Sequence, residues 1–170
     1  MLDILLDETL KLMKAENGSV WLYDHSSNML VQRTTRGIAI HAKQKHIPPG
    51  EGIVGNVFMS GKVHISTDLK NDPLFMKENL DIVLPGNGGI CIPIQSTVGI
   101  LGTLTIQMEA SRQIAGYVNL LTTLAEITGN SIHRAELFEQ SQEQVRRLTT
   151  LRDIDSAIAS STDLRVTLSI

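Results

Sequence analysis

The stretch ICIPIQSTVGILGTLTI, residues 90–106, decides the fold of this chain. It holds two runs rich in β-branched and apolar residues, which favour strands, separated only by a Ser-Thr pair. So short a connection predicts that the two runs form an antiparallel hairpin. Gly99 and Gly102 leave room for close packing of another backbone. Pro93 cannot donate to a ladder and therefore predicts an edge position or a bulge.

A helix and a second hairpin are predicted upstream of this stretch. Apolar residues recur at three- and four-residue steps over residues 2–13, which predicts an amphipathic helix that Asn17-Gly18 ends. The strand-favouring residues 19–23 and 29–35 flank a loop of small polar residues. They therefore predict a second antiparallel pair.

The middle of the chain contains shorter elements. Residues 52–61 predict a short helix that ends at Gly61, and residues 63–66 predict a short strand. Residues 67–84 form a long connection. The run PGNGG at residues 85–89 predicts a mobile loop, because its composition does not favour regular structure.

The C-terminal part of the chain carries a helical pattern from about residue 113, and neither Gly nor Pro occurs after Gly129. An apolar seam continues along this helix among Arg, Glu and Gln, beyond the reach of a compact domain core. The seam consists of Phe138, Val145, Leu148, Leu151 and Ile158. The simplest way to bury it is against the same helix of a second chain, so a homodimer is predicted.

The composition argues against several functional classes. Of the 170 residues, 42% are apolar and 19% charged, so the chain can bury a sizeable core. The 15 Lys and Arg and 18 Asp and Glu give a net charge of −3 without a basic block, which argues against nucleic-acid binding. No apolar run approaches the ~20 residues that span a bilayer, and no signal peptide is visible. With one cysteine, and therefore no intrachain disulfide, a cytoplasmic location fits best.

Several short motifs in a fixed order resemble a GAF domain, the small-molecule sensing module of signalling proteins. They are PGEGIVG at residues 49–55, SGKVHI at 60–65, Asp68, DPLF at 72–75 and the two strands within 90–106. The resemblance covers about residues 2–140. It implies an α+β fold, similar to profilin and PAS domains, with an antiparallel sheet of five to six strands. The N- and C-terminal helices would pack on one face of the sheet, and a ligand pocket would lie on the other.

The tail is similar to the linkers between tandem GAF domains of bacterial sensor proteins, over residues 148–170. A polar cap at residues 160–162 predicts a new helix. We therefore expect a GAF domain over 1–140, a coiled-coil-like signalling helix over 141–160 and the start of a following domain at 161–170. Such proteins end in histidine kinase, diguanylate cyclase or HD-GYP phosphodiesterase modules, and none of these lies in this sequence.

The known cofactors of GAF domains have no clear counterpart in this sequence. The cyclic-nucleotide signature has Asn-Lys after the last long strand, whereas this chain has Gln107-Met108 there. Bilin attachment uses a cysteine beside a histidine or in an acidic-Cys-Phe motif, but Cys91 stands between two isoleucines. Haem or iron would need pocket ligands, for which only His64 and Asp68 are candidates. No metal site is predicted, and the cofactor stays unknown.

We therefore expect a noncatalytic sensory domain that binds a small molecule and relays a helix shift to a downstream output domain of the same chain. The pocket is expected between the sheet and residues 66–89. Its candidate wall residues are Leu69, Phe75, Cys91, Thr103 and Thr105. The homodimer is expected to be parallel, because both helix ends must reach the same output.

Two alternatives stay open at the level of the sequence. The first is a structural dimerisation module whose pocket is filled by its own side chains and binds no ligand. The second is a small redox enzyme of GAF fold, although the methionine sulfoxide reductases of this fold need several cysteines for their disulfide relay.

Overall fold

The structure, a computed structural model, describes residues 1–110 and 114–167, with side chains described as far as residue 158. Residue 113, where the C-terminal helix is predicted to begin, lies outside the described residues. The α-helices are α1 (Leu2–Met13), α2 (Gly52–Ser60) and α3 (Val118–Thr167). The strands are β1 (Asn17–Asp24), β2 (Met29–Arg36), β3 (His46–Ile47), β4 (His64–Ser66), β5 (Asn87–Ser96) and β6 (Gly99–Glu109). Short 3-10 helices occupy Gly37–His41, Lys77–Ile82 and Ile114–Tyr117.

The strands form one antiparallel sheet in the order β3-β2-β1-β6-β5-β4. Both predicted hairpins are confirmed, since β1 pairs with β2 and β5 pairs with β6. The two hairpins join through β1 and β6 at the centre of the sheet. The α+β fold with an antiparallel sheet of five to six strands, an N-terminal helix and a long C-terminal helix is therefore confirmed.

α1 packs on one face of the sheet. Its buried side chains are Leu6, Thr9, Leu10 and Met13. Leu6 lies so close to Gly18 of β1 that a Cβ atom at Gly18 would be 3.0 Å from Leu6 Cδ1. Leu121 and Ala125 of α3 are fully buried, and Leu124 lines a surface groove together with α1. α1 and the first turns of α3 are therefore neighbours, as predicted.

A bulge in β2 reverses the faces to which its side chains point. Val20 of β1 pairs with Thr34, but the next residue, Trp21, pairs with Gln32, so Arg33 has no partner position on β1. Because successive residues of β1 face opposite sides, Gln32 shares the face of Trp21 while Thr34 shares the face of Val20.

Polar contacts fasten α1 to β2 beyond this bulge. The Thr34 hydroxyl donates to Asp3 Oδ1 at 2.6 Å, and Arg36 Nε donates to Asp7 Oδ1 at 2.7 Å. Hydrogen bonds from Thr34 and then Arg36 favour the ionised form of Asp3, so its pKa lies below the ordinary value. β2 thus connects α1 with the opposite face of the sheet, on which Gln32 lies.

The end of α1 differs from its prediction. Lys14 caps the helix in a left-handed conformation with φ of 50°, and Asn17-Gly18 instead opens β1. The Ala15 backbone N–H donates to the Leu10 carbonyl at 2.9 Å. These backbone bonds satisfy the last turn, so the helix ends without a glycine.

The prediction of a mobile loop over residues 85–89 is wrong for residues 87–89, because β5 begins at Asn87. Gly88 pairs with Met108 of β6, and a Cβ at Gly88 would lie 2.6 Å from the Ser66 carbonyl oxygen of β4. The missing side chain lets two neighbouring backbones approach closely. Gly88 therefore marks close packing rather than mobility.

The proline and the two glycines of the β5–β6 hairpin have different roles. Pro93 lies beyond the end of β4, which pairs with residues 89–91, so β5 is locally an edge there, as predicted. Gly99 has φ of 139°, and a Cβ there would meet open space, so its role is conformational. Gly102 makes the predicted close approach, because a Cβ there would collide with the Trp21 carbonyl oxygen of β1.

Residues 1–130 and the residues from 131 onward form two compact units. α3 continues as a helix through residues 160–162, so the cap predicted there is not formed. A following domain at residues 161–170 stays a prediction, and residues 168–170 lie outside the described residues. Within the described ranges, no helix has the length and apolar character needed to cross a membrane.

We expect Gly102→Ala to lower the free energy of unfolding by about 1–3 kcal/mol, because a methyl group would overpack the contact between β6 and β1. Urea denaturation followed by circular dichroism measures the change. Gly116→Ala is the matched control, since a Cβ at Gly116 meets open space. It should change the free energy by less than about 0.5 kcal/mol. Equal effects of the two substitutions would contradict the role assigned to Gly102.

Candidate functional site

A cavity of about 100 Å³ lies on the sheet face opposite α1, beneath α2 and the segments on either side of it. The strands supply its floor, which includes Ser19, Trp21, Gln32, Cys91, Thr105 and Gln107. The covering segments supply its roof, which includes Ala42, Ile53, Leu69, Phe75, Asn79 and Ile82. The wall is mainly apolar, and most of its polar side chains come from the strands.

A chain of hydrogen bonds crosses the floor between β1 and β6. Trp21 Nε1 donates to Ser19 Oγ at 2.8 Å, and Ser19 Oγ lies 2.6 Å from Thr105 Oγ1. Thr105 Oγ1 also donates to the Ser19 carbonyl oxygen at 3.2 Å. Ser19 and Thr105 can meet in this way because they are cross-strand partners on one face. All three bonds form together when Ser19 donates its proton to Thr105.

Gln32 brings a buried donor to the same cavity. Its Oε1 accepts a hydrogen bond from Lys45 Nζ at 2.9 Å. Its Nε2 is buried and has no hydrogen-bond partner among the described residues. An unsatisfied buried donor costs about 1–3 kcal/mol, so a ligand that accepts this hydrogen bond would recover that cost.

An ionisable pair lies at the edge of the cavity. His64, which lines it, has its Nε2 2.8 Å from Asp72 Oδ2. Burial opposes ionisation of Asp72, but hydrogen bonds from His64, Ser66 and the Leu74 backbone outweigh it, so the pKa of Asp72 lies below its ordinary value. Asp68 instead accepts hydrogen bonds within its own turn. Over the described residues, no three His, Cys, Asp or Glu side chains form a potential metal site.

Cys91 lies in the floor as a buried neutral thiol. It is 2% exposed, and burial raises its pKa to about 12, with the Thr103 hydroxyl acting weakly in the opposite direction. The thiolate is the reactive form of cysteine, and it is therefore almost absent at neutral pH. This agrees with the small apolar core residue that an isoleucine-flanked cysteine predicts.

An apolar cluster of Trp21, Leu30, Ile47 and Val54 joins the sheet to α2. Phe58 of α2 stacks on Tyr23 of β1 with ring centroids 4.9 Å apart. Burial of such side chains contributes about 1.5–3 kcal/mol each, which holds α2 over the cavity.

Four of the five predicted pocket residues lie in the cavity wall, namely Leu69, Phe75, Cys91 and Thr105. Thr103 is fully buried and does not line the cavity. The predicted segment 66–89 supplies part of the roof, and Ala39, Ala42, Ile53 and Val54 supply another part. Contact of any of these residues with a ligand stays a prediction.

Sequence reasoning missed several polar wall residues. Ser19 and Trp21 carry a usable signal, because they alternate with the apolar Val20 and so belong to one face of a strand. Gln32 carries no such signal, since simple alternation would place it on the same face as Thr34.

The predicted seam residues belong to the second unit. Phe138, Val145, Leu148, Leu151 and Ile158 are each more than half exposed. Leu137 and Ile154 add two more exposed apolar side chains along the same segment. An exposed apolar stripe of this length is typical of an interaction surface.

Comparison with known proteins relates residues 1–133 to the family described as "GAF domain", whose sequence model they match. Among solved structures, the chain is similar to the GAF domain of a phosphoenolpyruvate-protein phosphotransferase from Coxiella burnetii, with 21% identity and a TM-score of 0.71, covering 82% of this chain and 84% of that chain. A GAF domain/HD domain protein from Geobacter sulfurreducens gives 11% identity, a TM-score of 0.67 and coverage of 79% and 91%.

Free methionine-R-sulfoxide reductase from Neisseria meningitidis, in complex with its substrate, gives 19% identity, a TM-score of 0.63 and coverage of 79% and 78%. At these identities the structural likeness shows the fold alone. No curated protein sequence matches the chain.

We expect Cys91 of the folded protein to resist alkylation. With the thiol pKa raised from 9.0 to about 12, the thiolate fraction at pH 8 falls roughly a thousandfold, and burial further limits access. Iodoacetamide labelling followed by intact mass spectrometry measures the rate, with the same protein in urea as the control. Labelling of the folded protein within tenfold of the unfolded rate would contradict the buried neutral thiol.

Proposed function

We propose, because this chain belongs to the GAF domain family, that it is a noncatalytic sensory domain that binds a small molecule and relays a helix shift to a downstream output domain. The observation that carries this proposal is the cavity of about 100 Å³, into which hydrogen-bonding side chains converge. A scaffold is expected to have a packed core here and a sensor a cavity of several hundred cubic ångströms; the cavity is smaller than that, so its hydrogen-bonding groups carry the proposal. The Gln32 amino group is buried there without a partner among the described residues.

The relay would use β2. Gln32 of this strand faces the cavity, while Thr34 and Arg36, on the other side of the bulge, bond Asp3 and Asp7 of α1. A ligand that shifts β2 would therefore also shift the anchor of α1. The ligand can shift the equilibrium between two positions of α1 only to the extent that it binds the two states with different affinities.

The redox-enzyme alternative is less well supported. The resemblance implies that GAF-fold methionine sulfoxide reductases use several cysteines, and this sequence has one. That cysteine, Cys91, is buried with its pKa raised to about 12. Such a thiol is a poor nucleophile and has no second cysteine in the sequence to complete a disulfide relay. We place the domain in a reducing compartment such as the cytoplasm for the same reason.

The proposal includes a parallel homodimer formed through the exposed stripe of the second unit. Leu148 is 67% exposed and Leu151 is 59% exposed, so a single chain leaves both largely in water. Burial of one large apolar side chain is worth about 1.5–3 kcal/mol. In a two-fold dimer both copies of each leucine would be buried, so each residue contributes twice per dimer. Arg147 pairs with Glu143 of its own helix at 3.0 Å, beside the stripe. The parallel orientation would deliver two equivalent helix ends to one output.

Ligand sensing is tested by screening small metabolites against the fluorescence of Trp21, the one tryptophan of the chain, which lines the cavity. We expect at least one compound to bind saturably and to change hydrogen exchange in α1. Ala42→Leu should abolish binding, because the larger side chain enters the cavity. Ala115→Leu, at an exposed position, is the matched control and should bind normally.

Two outcomes would contradict this proposal. If no compound binds and Ala42→Leu is indistinguishable from the unmodified protein, the structural dimerisation module is the better description. If a compound binds but hydrogen exchange in α1 stays unchanged, the domain binds without relaying.

The dimer is tested with the double variant Leu148→Gln/Leu151→Gln. We expect its dimer dissociation constant to rise at least about 100-fold, because four buried leucines are lost per dimer. Arg146→Gln/Thr150→Gln changes two exposed residues near the opposite side of the same turns and should leave the constant nearly unchanged. Analytical ultracentrifugation measures both. Equal dimerisation of the two variants would place the interface elsewhere, such as the groove lined by Ile4, Leu12 and Leu124.

A further inference from the structure

The orientation of the Gln32 amide is set by a cation. Lys45 Nζ carries only donors, so the Gln32 atom that it contacts at 2.9 Å must be the carbonyl oxygen. Lys45 Nζ is itself held by a second bond, to the Ile40 carbonyl at 2.9 Å. The amide is thereby oriented, and Nε2 is its buried end, without a partner among the described residues, in a side chain that lines the cavity.

The hydroxyl groups on the floor offer hydrogen-bond acceptors, whereas the Gln32 amino group is a donor. Trp21 Nε1 can only donate, and the Ser19 carbonyl can only accept, so together they fix the direction of the chain from Trp21 through Ser19 to Thr105. In this order both hydroxyl protons are already used. Ser19 Oγ and Thr105 Oγ1 each retain one lone pair, so towards the cavity they act as acceptors.

The other polar wall groups leave the site without an unpaired formal charge. Asn79 Oδ1 accepts from the Lys43 backbone N–H at 3.1 Å, which leaves its amino group as a further donor. His64 is paired with Asp72 at 2.8 Å, so any positive charge on the imidazole is matched by the carboxylate. Lys45 contacts only neutral oxygens, but it does not line the cavity, so an ionised ligand would lose its hydration without direct contact with a counter-charge.

We propose that the cavity takes a small neutral molecule that presents a hydrogen-bond acceptor next to a donor, as amides, lactams and ureas do. Its carbonyl accepts from Gln32 Nε2, and its N–H donates to the lone pairs of Ser19 and Thr105. Lys45 is a positioning residue, since it holds the Gln32 amide in the orientation that recognises the carbonyl. This inference rests on the proposed function, because it assigns a ligand class to the same cavity.

The cavity volume limits the size of this ligand. A closed cavity of roughly 150 Å³ holds benzene, which has six non-hydrogen atoms; this cavity of about 100 Å³ is partly open, so part of a ligand can extend outside it, and six non-hydrogen atoms are taken as the upper limit. 2-Pyrrolidinone has this size and carries both groups. Cyclopentanone carries only the acceptor, and pyrrole carries only the donor, so the three five-membered rings separate the two contacts. Propionate and pyrrolidinium test the exclusion of charge.

The experiment titrates each probe into the full chain and follows the indole N–H resonance of Trp21 by NMR. Trp21 is the one tryptophan of the chain and lines the cavity, so its signal needs no separate assignment. We expect 2-pyrrolidinone to bind roughly five- to tenfold more tightly than cyclopentanone or pyrrole, which is the effect of one hydrogen bond. Propionate and pyrrolidinium should bind more weakly than all three.

Two variants test the role of the amide. Gln32→Glu turns an acceptor towards the cavity, so the affinity ratio of cyclopentanone to pyrrole should fall at least about fivefold. Lys45→Met frees the Gln32 amide to rotate, so the affinity ratio of cyclopentanone to pyrrole should fall in this variant as well. Lys62→Met removes an equal charge from an exposed position outside the cavity wall and should leave the ratio unchanged. A merely structural role of Lys45 would weaken all probes alike.

The failures of the two proposals are distinguishable. If the neutral probes bind equally well, if propionate or pyrrolidinium binds more tightly than 2-pyrrolidinone, or if Lys45→Met leaves the ratio unchanged, the amide class is wrong. Ligand sensing then still stands on the metabolite screen. If no probe moves the Trp21 resonance, the amide class is overturned, and a metabolite screen without a cavity ligand would overturn the proposed function as well.

Discussion

The structure depends on the alternation of side chains along the central strands of the sheet. In β1, Gly18 meets Leu6 of α1 on one face, while Ser19 and Trp21 lie in the cavity floor on the other. Close backbone contact between β1 and β6, for which Gly102 leaves room, holds these faces in register. A one-residue slip would exchange the apolar and polar sets and would remove both the helix contact and the cavity.

The bulge at Arg33 interrupts this alternation in β2. It lets one short strand carry a cavity residue, Gln32, and the anchors of α1, Thr34 and Arg36, on opposite faces. An unbulged strand would send Gln32 and Thr34 to the same side. The two sites are therefore adjacent in the backbone, which is the basis of the relay that we propose.

The polar groups of the cavity are arranged by their neighbours rather than by their own types. A glutamine is both donor and acceptor, but Lys45 occupies its oxygen and leaves the nitrogen. A serine is also both, but Trp21 and Thr105 use its proton and one lone pair. The recognition properties that we propose for this site thus come from hydrogen bonds among its own wall residues and from Lys45, which does not line it.

The amino-acid sequence by itself determined the two hairpins, the short helix that ends at Gly61 and the terminal helical patterns, because these depend on local periodicity and turn chemistry. It also indicated that Leu69, Phe75 and Cys91 would lie together. The start of β5 within a glycine run was not predictable, since it depends on the close approach of β4 and β6.

Only the tertiary structure decided that Gln32 faces the cavity and that Thr103 does not line it. The orientation of Gln32 depends on the bulge at Arg33, which no residue type in the sequence indicates. The position of Thr103 outside the cavity wall depends on α2 packing against β5 and β6, a contact between segments that are distant in sequence. Local patterns fix which residues can share a face, but contacts between distant segments decide which part of that face stays open.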